Sequence, residues 1–154
     1  MSEAEERLAA LGITLPEAAA PVADYRAFVR AGELLFISGQ VPIRDGKLAF
    51  TGQLGRDCSL EDARKAAELC AVNCIAQAKA ALEGELDRVK QVVKLTGFVS
   101  ATPDFTDHPK VVDAASALMA AAFGKAGRHA RAAVGCSSLP LGAPVEVEAI
   151  FLVD

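Results

Sequence analysis

The stretch "RHARAAVG", residues 128–135, sets Arg128, His129 and Arg131 within four positions at the mouth of an apolar strand. A strand-end arginine most often reaches into water. The chemical alternative is an anion clamp. A guanidinium is a flat fork of donors that matches a carboxylate and stays charged at any working pH. In a partly dry crevice it holds a carboxylate more strongly than in open water. Glu146, in "VEVEAIFLV", is the second candidate. One reading pairs it with a lysine or arginine at an interface. The other has it hold and polarise a water, the usual task of a carboxylate acting as a base. Antiparallel pairing across the turn "PLGAP" is expected to bring Glu146 to the sheet region of "AAVGCSSL", so that an arginine and a carboxylate can line one cleft.

Tyr25 is the only tyrosine and is expected at the start of a strand, where it reads first as an amphipathic packing residue. Ser38-Gly39 ends an apolar strand, and a glycine there lets a ligand approach backbone N–H groups closely. His129 reads as a surface histidine or one satisfied by its neighbours. Cys70 and Cys74 share one helical face. Neither His108 nor His129 stands at a zinc spacing, so the cysteines read as small buried hydrophobes and no metal site is expected.

The elements that must position these groups follow from periodicity and punctuation. Ser2 and Glu5 fit a capping box for a helix over 2–12, and Pro16 and Pro21 break the segment behind it. "DYRAFVRAG" and "ELLFISGQ" read as a hairpin, and Asp45-Gly46 marks a second tight turn. Ser59 caps a long helix that ends at Gly84, with Asn73 inside it expected to bind a loop backbone. "QVVKLTGFVSA" is a strand, and "FTDHPKVVDAASALMAAAFG" is a helix with Pro109 in its first turn. Two strands close the chain. The order is three strands, helix, strand, helix, two strands, with 1–21 as an N-terminal helix and linker and 22–154 as the main domain. Two helices cannot cover both faces of such a sheet, yet the strands are apolar on both. One face is therefore expected on the helices and the other on neighbouring subunits.

The totals narrow the class. A chain of 154 residues suits one domain with a genuine core. The net charge of −4 and the absence of a basic stripe with stacking aromatics argue against nucleic acid as a partner. No apolar run is long enough for a membrane span, and the acidic start "MSEAEERLAA" is unlike a secretory signal. A soluble cytoplasmic protein acting on something small is expected.

Two signatures resemble the RidA/YjgF family of enamine and imine deaminases. "LLFISGQVPI" resembles its strand signature, and "ARAAVGCSSLPLGAPVEVEAI" resembles its C-terminal one. "DYRAFVRAGELLFISGQ" is similar to the family's tyrosine-bearing hairpin. The likeness spans 22–154. It implies an α+β, chorismate-mutase-like fold: a mixed sheet with two main helices on one face, assembled as a homotrimer with clefts between subunits. It implies that Arg131 binds the carboxylate of a small substrate and that Glu146 positions the hydrolytic water. The backbone carbonyl of Ala133 would assist, with Tyr25, Ser38 and Gly39 lining the cleft. The implied reaction is hydrolysis of a 2-iminoacid or its enamine tautomer, without metal or organic cofactor. The alternative is a non-catalytic trimer that binds small carboxylates and regulates a partner. Where relatives often carry a cysteine, two residues after the arginine, this chain has Ala133. The N-terminal helix and "AGRHAR" suggest a divergent branch in which Arg128 and His129 narrow the cleft.

Overall fold

The computed structural model describes residues 1–21 and 23–154. Val22, where the main domain is expected to begin, lies outside the described residues. In chain order the elements are α1 (Glu3–Ala10), β1 (Phe28–Ala31), β2 (Leu34–Gln40), β3 (Ile43–Arg44), β4 (Lys47–Leu48), α2 (Leu60–Ala81), β5 (Val89–Ser100), α3 (His108–Phe123), β6 (Ala130–Cys136) and β7 (Val145–Val153). The order is the expected one except that four strands, not three, precede the long helix, because the Asp45-Gly46 turn splits the third expected strand into β3 and β4. The hairpin β1–β2 turns at Gly32, and β3–β4 turns at Asp45-Gly46, both with positive φ. Tyr25 precedes β1 by three residues instead of starting it.

Five strands form one sheet in the order β1-β2-β7-β5-β6. β6 runs parallel to β5, and the other pairs are antiparallel. This corrects the expected β6–β7 hairpin: β5 lies between the two strands. The reason is burial. Val145, Val147, Ala149, Phe151 and Val153 are all buried. A strand with an unbroken apolar face gains most at the centre, paired on both edges. The parallel β5–β6 step needs a crossover, and α3 supplies it. "PLGAP" accordingly forms a short 3-10 turn at Pro140–Gly142 that carries the chain from the sheet edge to its middle.

α2 and α3 pack on one sheet face. α2 presents small residues there, among them Ala63, Ala67, Cys70, Ala71, Cys74 and Ala78, all fully buried, which lets the helix lie close to the strands. The Cys70 and Cys74 thiols sit against the carbonyls of Val145 and Val147, at 3.6 and 3.4 Å. Burial raises both their pKa values far above the ordinary thiol range, so they are inert packing groups. Asn73 donates through Nδ2 to the carbonyls of Val41 and Ile43, as expected of it.

α1 belongs to the same core. Ser2 and Glu5 close a reciprocal capping box, and Leu8 is fully buried. Lys79 on α2 donates to Glu5, and this bond, more than that from the Ser2 backbone, lowers the Glu5 pKa to about 2. From α1 the segment 12–21 runs along α2, where Gln77 Nε2 donates to the Ala19 carbonyl at 2.7 Å. Among the described residues no helix lies on the other sheet face. Val29, Phe36 and Val134 stand exposed there, with Leu34, Phe98, Ile150 and Leu152 partly covered around Glu146 and Glu148.

Candidate functional site

Arg131 sits on the edge strand β6 opposite Leu95 of β5, which is fully buried beneath the helices. Its side chain therefore turns towards α3. Nη1 donates to Asp113 Oδ1 at 2.7 Å and to Ser116 Oγ at 3.2 Å, and the side chain is only 23 % exposed. It is held beside the helix, not splayed into water. Both bonds use Nη1, which leaves the Nε–Nη2 edge of the fork for a carboxylate.

A guanidinium can only donate, so Ser116 Oγ accepts from Arg131 and its own proton points elsewhere. The neighbour at 2.9 Å is His129 Nε2. His129 Nδ1 in turn lies 2.7 Å from the Gly127 carbonyl, which can only accept. The chain of bonds thus assigns the imidazole its Nδ1–H tautomer, with Nε2 accepting from Ser116. His129 is a satisfied histidine, as expected, and it is part of the support for Arg131. Sequence reasoning missed Asp113 and Ser116. Their signal was two polar residues three apart, on one face of an apolar helix.

Glu146 lies on the other side of the sheet. Its register partner on β5 is Phe98, and its side chain points to the face without helices. β2 is irregular between Ile37 and Gln40, where Ser38 and Gly39 stand. A β-carbon on Gly39 would fall 2.1 Å from Glu146 Oε1 and 2.9 Å from Cδ. The carboxylate thus occupies the space that glycine leaves, and no other residue type admits it there. Among the described residues no lysine, arginine or histidine lies within ion-pair distance of Glu146. Burial first, and the Glu148 carboxylate second, raise its pKa above the ordinary carboxylate value.

Tyr25, Gly39 and Glu146 line one open groove. Ser38 does not join them; its hydroxyl donates to the Arg26 carbonyl at 2.7 Å and braces the approach to β1. Ala133 shares the row of Arg131 on β6, opposite Gly97. The expected cleft with Arg131 and Glu146 in one chain is corrected on two counts. β5 separates their strands, and their side chains leave opposite faces of the sheet. Alternation along a strand sends residues of unlike parity to opposite sides, and 131 and 146 fall on opposite sides once β5 is the common neighbour. Among the described residues no group of three or more His, Cys, Asp and Glu side chains is placed to hold a metal ion, and no helix is long and apolar enough to cross a membrane.

The family model described as "YjgF/chorismate_mutase-like, putative endoribonuclease" matches residues 5–151. The chain belongs to the RidA/YjgF family. Protein TCP17 of Trypanosoma cruzi is 48 % identical over 141 residues, which span 91 % of this chain and 88 % of that one. A 2-iminobutanoate/2-iminopropanoate deaminase of Dermatophagoides farinae is 26 % identical over 92 % of this chain and 95 % of its own. The crystal structure of Atu1372 from Agrobacterium tumefaciens, a protein of unknown function, superposes with a TM-score of 0.93 at 50 % identity, covering 98 % of this chain and 92 % of that one. The mixed α+β fold of this RidA/YjgF chain is therefore as expected, with the N-terminal helix and the two main helices all present. The match from residue 5 takes in most of α1.

Proposed function

We propose that the protein is a cofactor-free hydrolytic deaminase of 2-iminoacids and their enamine tautomers, giving a 2-oxoacid and ammonia. The observation that carries this reading is Glu146. It is a half-buried carboxylate without a cationic partner, seated in a glycine niche of a groove, with its pKa raised towards working pH. A protein that merely bound carboxylates would have no use for a second acid beside the ligand. The likeness to an iminobutanoate/iminopropanoate deaminase supports the same reaction.

The chemistry asks little of the protein. An imine conjugated to a carboxylate is already electrophilic. The free edge of Arg131 binds the carboxylate and so fixes the imine carbon. Glu146 takes a proton from water as the water oxygen bonds to that carbon and the C=N pair moves onto nitrogen, and it then hands this proton to the nitrogen, giving the carbinolamine. Glu146, again ionised, takes the hydroxyl proton as C=O forms and the C–N bond breaks, and delivers it to the leaving nitrogen, which departs as ammonia. Because these two half-sites, Arg131 and Glu146, lie on opposite faces, the complete site takes Arg131 from one copy and Glu146 from its neighbour. The apolar sheet face around Glu146 is the surface such copies would share. We propose a homotrimer with three such clefts, in which Ala133 and Tyr25 border the substrate.

The test generates iminoacids in place with an amino-acid oxidase and follows release of 2-oxoacid. Acceleration over buffer is expected, and Glu146→Gln should lower it by roughly a hundredfold or more. If no iminoacid is accelerated, the protein is the non-catalytic carboxylate binder instead.

The raised pKa has a direction that can be checked. Glu146 must be ionised to act as base, so the rate falls as pH drops through its midpoint, which burial, and then the Glu148 carboxylate, raise from the group's ordinary value. Glu148→Gln removes one of the two causes of the rise. The acid limb of the pH–rate profile should therefore move to lower pH, and an unmoved limb would count against Glu146 as the base. On the other half-site, Ser116→Ala should raise KM severalfold with kcat little changed, since it loosens the arginine and not the water. Ser116→Thr keeps the hydroxyl and should restore KM.

A further inference from the structure

The groove beside Glu146 has a volume of about 1250 Å3, far more than a three- or four-carbon iminoacid fills. Its lining passes from Glu146 to Leu15 of the N-terminal segment, Phe50, and Leu69 and Val72 of α2. The amides in these walls are already committed. Asn73 Nδ2 serves two loop carbonyls and Gln77 Nε2 serves Ala19, so the deep wall offers a ligand mainly apolar surface.

The groove is built before any ligand arrives. Leu15 and Phe50 pack against the core, and the segment 12–21 is held at both ends. On one side α1 is anchored by buried Leu8 and by the Lys79–Glu5 pair. On the other, Gln77 grips Ala19. Glu17, Arg44, Asp45, Lys65 and Glu68 also border the groove, but Leu15, Phe50, Leu69 and Val72 give it an apolar wall, and a preformed groove that is mostly apolar with a few polar groups has the usual make-up of a small-molecule site.

We infer that the preferred substrates are 2-iminoacids with long or branched apolar side chains, of the leucine, methionine or phenylalanine type. The side chain lies along Phe50, Leu15 and Leu69, and the imine carbon lies at Glu146. The inference rests on the deaminase reading and narrows it. It also assigns the N-terminal segment a role as one wall of the specificity pocket.

The experiment is a series of iminoacids generated by amino-acid oxidases from alanine, 2-aminobutyrate, norvaline, leucine and phenylalanine, with kcat/KM measured for each. Each methylene moved from water to the groove should favour the larger member, so the leucine-derived imine should exceed the alanine-derived one by at least about tenfold. Phe50→Ala and Leu15→Ala should each compress that ratio, the loss falling mainly on the larger substrate. Acceleration that is flat across the series, or greatest for alanine, overturns the inference and leaves the deaminase reading standing. So does an unchanged ratio in both variants when their melting temperatures show them folded. Absence of acceleration with every imine overturns both.

Discussion

Arg131→Ala should return iminoacid hydrolysis to the buffer rate while the protein stays folded. The lost contact with substrate is a charge-assisted, two-pronged one, so kcat/KM should fall by roughly a hundred- to a thousandfold. The fold has little at stake. Asp113 is 55 % exposed in the Arg131 pair and is easily solvated once alone, so thermal unfolding should shift by no more than about 1 kcal/mol of stability. Arg131→Lys keeps the charge and loses the fork, and should remain strongly impaired in KM. The same variant tests where the site lies. Mixed at equal amounts with Glu146→Gln and allowed to exchange subunits, two inactive proteins should yield about a quarter of wild-type activity, because one ordered contact in four then joins an intact Arg131 to an intact Glu146. A mixture that stays inactive despite proven exchange would mean that both groups act from one chain, which the sheet geometry does not allow.

Gly39→Ala is expected to be nearly as damaging, although it removes no functional group. The added carbon would lie 2.1 Å from Glu146 Oε1, and 2.9 Å from Cδ. Either the carboxylate swings away or the β2 irregularity is rebuilt. Swinging is the cheaper response, since Glu146 is half exposed to the groove. A base displaced by an ångström or more costs on the order of a hundredfold in rate. Freed into water it also loses the burial that raises its pKa, so residual activity should show an acid limb at lower pH. The double variant Gly39→Ala/Glu146→Gln should be no worse than Glu146→Gln alone, because both changes remove the same function. Wild-type rates in Gly39→Ala would remove Glu146 from the mechanism.

Local chemistry was legible from the residues alone. The Ser2–Glu5 box, the Ser59 cap, the Asp45-Gly46 turn and the end of α3 at Gly124 all stand where their side chains and backbone freedom require. Cys70, Cys74 and Asn73 have the buried roles their helical spacing implied. The two signatures were enough for family membership, because motif spacing survives even where contacts are unknown.

What stayed hidden is non-local. Nothing in "PLGAP" reveals that β5 passes between the strands it joins; that choice belongs to the sheet as a whole, which places its most apolar strand at the centre. Asp113 and Ser116 reach Arg131 only because the β5–α3–β6 crossover folds the helix back over its own following strand. By itself, then, the sequence determined the elements, their caps and the two residue types able to clamp an acid and activate water. Only the tertiary structure decided that Arg131 and Glu146 leave opposite faces of one sheet, because strand order and side-chain alternation are properties of paired strands and not of either strand alone.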